Sequence, residues 1–428
     1  MVSPTITLAF ALCGVALGTL TGLLPGLHVN SVAFLLVGIA PGIDGPPTAV
    51  GAAILAAGVV HTFLSIVPGL VLGVPDAATA PGALPGHRLV LAGCGREAIR
   101  LSAVGSGIAL VGAVAVALPL SHAVAAGRAW LLAALPVLLA VVAGLLVLAE
   151  PTRRARLGGL LCLVVATGLG FLRLDLPATG VLTPDGAASM LAPIFGGLFG
   201  APILVDAVDA DGAVPPQEGT TLGLSVTETV RAALSGVGGG ALVGYLPGVS
   251  AGVAAVLALG GAGGSGPAGR GSDRAYVVAT SGADTATAVF AVASLAVLGA
   301  PRSGVTVALE SLAGAGSSSA TGASAAAGAT APMPLAEMLL VVVLAAGLGI
   351  AVLLIVGERY LLVVRRLPRR PLVLGVLGLL FALAVGFAGP LGGAVFCLAA
   401  VVGLMPPRVG ARRVHLMGVL FGPIALGW

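Results

Sequence analysis

A nine-residue frame occurs twice, as Gly18-Thr-Leu-Thr-Gly22-Leu-Leu-Pro25-Gly26 and as Gly240-Ala-Leu-Val-Gly244-Tyr-Leu-Pro247-Gly248. Each Leu-Pro-Gly stands inside an apolar stretch, where proline removes a backbone donor and glycine accepts unusual dihedrals. The carbonyls and amides freed at such a break need protein, water or a ligand as partner. A second interruption follows in each half, Leu72-Gly73-Val74-Pro75-Asp76 and Leu298-Gly299-Ala300-Pro301-Arg302. Broken helices present positive N-terminal ends to an anion and free carbonyls to a cation such as sodium. The candidate substrate-binding positions are therefore Pro25, Gly26, His28 and Asn30, then Pro75, Asp76 and Thr79. Their counterparts are Pro247, Gly248 and Ser250, then Pro301, Arg302 and Ser303. Proline kinks in packed helices are the plain alternative at any one break; recurrence in both halves favours a site.

Asp284 and Thr285 are the candidate ion-coupling residues, flanked by Thr280, Ser281 and Thr287 in an apolar run. A carboxylate inside a membrane segment costs roughly 2.5–3.5 kcal/mol on insertion scales and so faces a cavity or a partner. An aspartate in contact with headgroup water is the alternative. Asp76 and Arg302 hold equivalent places after the repeated proline, where pairing, or contact of Arg302 with a substrate carboxylate, is expected. His28 and Asn30 can each donate and accept, and histidine titrates near neutrality; capping of freed carbonyls would serve as well. His61 reads as a packing residue.

The surrounding chain is 58% hydrophobic and only 8% charged, against roughly 25% charged in soluble domains. That composition specifies an all-α integral membrane protein. All 20 basic residues are arginine, and they gather in short loops, where they report topology. The net charge of +4 thus gives no argument for a nucleic-acid partner. Aromatics make up only 4%, while 67 glycines suit close helix contact. Cys13, Cys94, Cys162 and Cys397 are widely separated, and neither a disulfide nor a metal site is expected. The first apolar segment has no basic n-region and is expected to be retained.

A membrane helix needs about 20 apolar residues. Candidate spans lie near 5–40 and 229–262, each broken at its proline, and near 47–72, 98–120, 129–149, 157–172, 187–205, 275–299, 335–356, 371–388, 390–405 and 414–428. That predicts about 10–12 transmembrane helices, with short segments such as 157–172 and the last one open to a re-entrant reading. The chain divides into an N-terminal membrane repeat (1–205), an acidic hydrophilic linker (206–227) and a C-terminal membrane repeat (228–428). The arginine-rich turns at Arg88/Arg96/Arg100, Arg153/Arg154/Arg156, Arg359/Arg365/Arg366/Arg369/Arg370 and Arg408/Arg412/Arg413 should face the cytoplasm. If 187–205 spans fully the linker falls inside. If it is re-entrant, the linker lies outside and the halves become inverted, the arrangement favoured here. The segment Gly314–Ala331 reads as a loop.

The order of motifs resembles the large membrane (permease) subunit of the tripartite tricarboxylate transporter family. A Gly-rich helix ending in Leu-Pro-Gly-Leu is similar to Leu24-Pro25-Gly26-Leu27 and Leu246-Pro247-Gly248-Val249. The family's Pro-Gly element, Gly-Tyr-Pro and Gly-Glu-Ala-like turn resemble Pro75-Asp76-Ala-Ala-Thr79 through Gly86-His87 and Gly95-Arg96-Glu97-Ala98. Its Glu-Ser-Ala-Asn-Asn-Ala and Leu-Gly-Ile-Pro-Gly-Ser resemble Ser281-Gly-Ala-Asp284-Thr285-Ala286 and Leu298-Gly299-Ala300-Pro301-Arg302-Ser303, and Leu416-Met-Gly418-Val-Leu-Phe-Gly422-Pro423 resembles its ending. His28, Asn30, Asp284-Thr285, Asp76 and Arg302 depart from the pattern, in the manner of a divergent, archaeal-type branch. The resemblance implies a partnership with a small membrane subunit and an extracytoplasmic binding protein.

Together these features imply a secondary transporter in the cytoplasmic membrane, multi-pass, with the lipid bilayer as its surround. Its cargo would be a small organic anion, a di- or tricarboxylate by resemblance. Coupling to Na+ or H+ and alternating access around a midplane site follow from the broken helices, with no cofactor beyond the coupling ion. A channel built on the same breaks is the alternative. An enzyme is not expected: His61 and Ser65 have helical spacing but no activating third group.

Overall fold

The computed structural model describes residues 3–25, 27, 29–43, 45–73, 83–173, 176, 179–182, 190–208, 215–217, 221–246, 253–254, 269–317 and 331–426. Among them the regular elements are helical: α1 (Pro4–Leu23), α2 (Val29–Ile39), α3 (Pro47–Leu64), α4 (Ile66–Leu72), α5 (Ala83–Leu91) and α6 (Gly95–Ala126). There follow α7 (Arg128–Leu148), α8 (Arg153–Arg173), α9 (Leu191–Phe195), α10 (Ala201–Val208) and α11 (Val226–Tyr245). The rest are α12 (Gly269–Leu298), α13 (Gly304–Ser317), α14 (Leu335–Arg366), α15 (Arg369–Gly403), α16 (Met405–Val409) and α17 (Gly418–Ala425). Nine helical stretches among the described residues are long and apolar enough to cross a membrane. The protein is an all-α integral membrane protein.

Glycine sets how these helices meet. Gly14, Gly18 and Gly22 recur every fourth residue along one face of α1, each against the backbone or Cβ atoms of α3 and its end: Ala53, Ala57, then Leu64 and Ser65. Gly236, Gly240 and Gly244 repeat the pattern on α11 against Ala279, Ala283 and Phe290 of α12. Without a Cβ the helix axes approach until backbone meets backbone, which provides the packing contacts that apolar side chains cannot win against lipid tails.

The registers give direction. Along α1 and α3, later glycines meet later partners, so the two run parallel, and α11 and α12 do the same. Gly105 packs on Val278 and Gly282 on Ala109, so α6 runs with α12. Gly349 meets Phe63 and Gly357 meets Val67, so α14 runs with α3; Gly357 also meets Ile99 while Gly107 meets Ile350, so α14 runs against α6. The leading helices of the two halves therefore point in opposite directions. The halves are inverted.

The linker nevertheless stands at the arginine-rich end. Asp206 lies 3.3 Å from Arg413, and Gln217 accepts from Gly95 N–H at 2.6 Å and donates to the Val90 carbonyl at 3.0 Å. This corrects the expectation that inversion requires the linker on the other side. The expectation counted 5–40 and 229–262 as single passes. Gly45 instead returns to Phe10, and Ala254 returns to Gly239. Each segment folds back as a hairpin, and the extra reversal restores the inversion while Leu191–Val208 runs to the arginine-rich end.

The stretch Arg369–Gly403 also folds back, at Gly389, whose φ of 72° and following Pro390 break the helix; Phe396 returns to Phe381 at a ring distance of 5.9 Å. The spans expected at 371–388 and 390–405 meet this break. Of the segment read as a loop, the first residues continue α13 to Ser317, because Gly, Ala and Ser there suit a packed helix as well as a loop; 318–330 lie outside the described residues.

A Cβ at Gly236 would stand 2.7 Å from the Ala279 carbonyl, whereas one at Gly238 would meet nothing within 4 Å. Gly236→Ala should destabilise the detergent-purified protein by about 1–3 kcal/mol through overpacking. Gly238→Ala should raise stability by roughly 0.5–1 kcal/mol. Thermal unfolding of the two variants side by side checks both signs.

Candidate functional site

Both Leu-Pro-Gly breaks form for the same steric reason. The residue before a proline is driven from the helical to the extended region, and Leu24 (φ −94°, ψ 109°) and Leu246 (φ −101°, ψ 117°) adopt nearly the same conformation. Each still donates its N–H back into its helix, to Leu20 and Leu242. The second interruptions also match, since Gly73 (φ 72°) and Gly299 (φ 60°) both take the left-handed conformation that stops a helix.

The breaks do not share one depth. α1 ends beside Leu64 and Ser65 and α11 beside Phe290, each about two turns short of the end of its neighbour at Leu72 or Leu298. Because the halves are inverted, the two tips lie on opposite sides of the middle. Pro25 is buried at the first tip, and Asn30 lies within α2. Gly26, His28, Pro75, Asp76, Thr79, Pro247, Gly248 and Ser250 lie outside the described residues, and so does the expected Asp76–Arg302 pair.

The middle is occupied by other groups. After Gly299 the chain turns back, and Val305 packs on Gly58 while Leu309 reaches Gly51, so α13 starts at mid-depth and runs outward. Ser303 caps it: its Oγ accepts from Thr306 N–H at 3.2 Å, and the Thr306 hydroxyl accepts from the N–H groups of Arg302 and Ser303 at 2.9 Å. The role of Ser303 is thus in the helix cap first. Arg302, half-buried just before this positive helix end, has no hydrogen-bond partner for its Nε among the described residues.

Asp284 is 7% exposed and Thr285 3%. Asp284 stands about three helical turns from Asp273 at the arginine-rich end of α12. On the adjoining α3, His61 is 3% exposed and stands about three turns from Leu72. The two titratable residues are therefore at nearly one depth on helices that touch. His61 Nδ1 lies 3.0 Å from Thr21 Oγ1, and the Thr21 hydroxyl already donates to the Gly18 carbonyl at 3.1 Å. With its hydrogen given to Gly18, the Thr21 oxygen can accept from Nδ1–H of His61. Sequence reading gave His61 a packing role; its level with Asp284 emerges only from the antiparallel register.

At the arginine-rich end, Glu97 accepts from Arg274 Nε and Nη2 at 2.7 and 2.8 Å and from Gly223 N–H, and Arg88 pairs with Asp273. Glu150, between α7 and α8, accepts from Arg412 Nε at 2.9 Å and lies 2.8 Å from His415 Nε2. No group of three or more His, Cys, Asp or Glu residues among those described could hold a metal ion.

Residues 8–418 match the Tripartite tricarboxylate transporter TctA family. The chain belongs to this family. An uncharacterized protein of Methanocaldococcus jannaschii is 39% identical over 116 residues, 26% of this chain and 28% of that protein; the match therefore spans little more than a quarter of the relative. No solved structure matches. TctA proteins are transporter permease subunits, in accord with a multi-pass membrane chain.

Burial alone would raise the Glu150 carboxyl, but hydrogen bonds from His415 and Arg412, and the Arg412 charge, hold it below the usual carboxylate range. Its contribution to stability is full above the unfolded value of about 4.3 and is lost as pH falls through the depressed folded value. Glu150→Gln, which leaves a guanidinium without its counter-charge, should cost about 3–5 kcal/mol at neutral pH. Melting curves of variant and parent should draw together as pH falls below about 4.3 and converge only once it has passed through the depressed folded value.

Proposed function

We propose that the chain is the membrane permease that carries a small organic anion, a di- or tricarboxylate, across the cytoplasmic membrane. The observation that carries this reading is the α13 N-terminus, which opens at mid-depth with Arg302 beside it and packs on Gly58 of α3. A helix N-terminus and a guanidinium attract a carboxylate by dipole and charge, and the guanidinium adds bidentate geometry. Ser303 fixes the helix end, and Pro301 sets the approach. Asp284 and Thr285 serve the coupling ion, Na+ or H+, on the neighbouring α12. Membership of TctA supports the cargo class and the two accessory subunits, a small membrane subunit and an extracytoplasmic binding protein.

Alternating access is favoured over a channel by the two hairpins that enter from opposite sides, since each can close one face while the other opens. The arginine-rich end faces the cytoplasm on the positive-inside rule. Reconstituted vesicles loaded in this orientation, with or without the accessory subunits, should take up radiolabelled citrate or succinate saturably and only down a sodium or proton gradient. Ohmic current without saturation would indicate a channel and end this reading.

Asp284→Asn removes the charge but keeps the shape. Gradient-driven uptake should fall at least tenfold, whereas the melting temperature should hold or rise, because burying a carboxylate in a membrane segment costs roughly 2.5–3.5 kcal/mol on insertion scales. A variant that melts early and transports normally would assign Asp284 a structural role.

A further inference from the structure

The helices separate into two bodies, and each draws on both halves of the chain. One comprises α1–α6 with α11–α14, and the other α7–α10 with α15–α17. Within the first, α1 packs on α3, α11 and α6 on α12, and α14 on α3 and α6. Within the second, α15 packs on α9 and α10, and α17 on α7 and α8. Between the bodies, among the described elements, only α6 and α7 pack closely, where they follow each other through Gly127.

Glycine contacts draw the same line. In the first body Gly14 meets the Ala53 backbone, Gly105 that of Val278 and Gly236 that of Ala279. In the second, Gly197 meets the Phe396 carbonyl, Gly403 that of Leu198 and Gly170 that of Val419. No described glycine of one body has backbone of the other within reach of an added Cβ; the nearest cross-body contact is Gly73 with the Ile203 side chain, beside His87. Backbone-to-backbone contact cannot slide without driving Cβ atoms into carbonyls, whereas side-chain contact between two smooth bodies can. The bodies are joined at Gly127, at Leu367–Pro368 and through the linker, whose Gln217 and Gly223 are bound to the first body.

From this partition we infer that transport proceeds by displacement of the α1–α6/α11–α14 body as one rigid unit against the α7–α10/α15–α17 body. The first body carries both hairpins, Asp284, His61 and Arg302, so the anion and its coupling ion travel with their site. This rests on the transporter reading above, but it differs from rocking of the N-terminal half against the C-terminal half. In a half-against-half motion α6 and α12 would part; here they stay locked.

The test uses the full chain with Cys13, Cys94, Cys162 and Cys397 replaced by alanine. His87→Cys with Ile203→Cys, joined by a short thiosulfonate linker, ties the two bodies. Gly112→Cys with Val237→Cys ties α6 to α11 inside the first body, across the boundary between the two halves of the chain; Gly112 and Val237 are neighbours in space. The first link should stop uptake at least tenfold and release it on reduction, and the second should leave uptake within twofold. Undiminished uptake with the bodies tied, or arrest by the second link, overturns the inference.

Spin labels in lipid vesicles provide a readout independent of transport. Val111→Cys with Leu340→Cys, both in the first body, should give one narrow distance under every gradient. Val111→Cys with Val164→Cys, across the bodies, should give two populations. A shifting first pair or a single invariant distance for the second overturns the motion. Absence of uptake before any linking counts against the transporter reading alone.

Discussion

Everything in this molecule depends on the contact of one helix backbone with another through glycine. With aromatics at 4% of the chain and no water-driven burial inside a bilayer, large side chains do not hold the bundle. The glycines every fourth residue on α1 and α11 bring carbonyls and Cβ atoms of the facing helix to van der Waals distance. Such contacts fix register as well as proximity. From register follow the parallel pairs, their opposite directions in the two halves, and the depth of every polar side chain.

That dependence explains what was legible in the amino-acid sequence. The repeated Leu-Pro-Gly frames disclosed where both helices break, though not that the chain reverses there, because the conformation of a residue before proline is a local steric matter that needs no tertiary context. The fold-back of α15 at Gly389-Pro390 was not read from the sequence, although the spans expected at 371–388 and 390–405 end on either side of it. The family could be read from the order of motifs and is confirmed over residues 8–418. Topology was less accessible, because hydropathy cannot tell a helix interrupted by proline from a helix that reverses there. The linker was assigned to the wrong side for that reason alone.

The site divides along the same line. Asp284 stood out because a carboxylate in an apolar run is costly wherever the run lies. His61 did not, since its relation to Asp284 depends on α3 and α12 running antiparallel. The role of Ser303 in capping α13 was masked by its place in a motif that suggested ligand contact.

The first half begins at one face and ends at the other, and the second begins where the first ended. A polypeptide unit that traverses a bilayer an odd number of times presents its copy upside down whenever the two are joined head to tail. Tandem gene duplication of such a unit creates the inverted pair in one event, with no need for an ancestor that inserted both ways. The hairpin at Pro25 contributes the reversal that makes the count odd, so a single backbone break is a precondition for the inverted arrangement of the two halves.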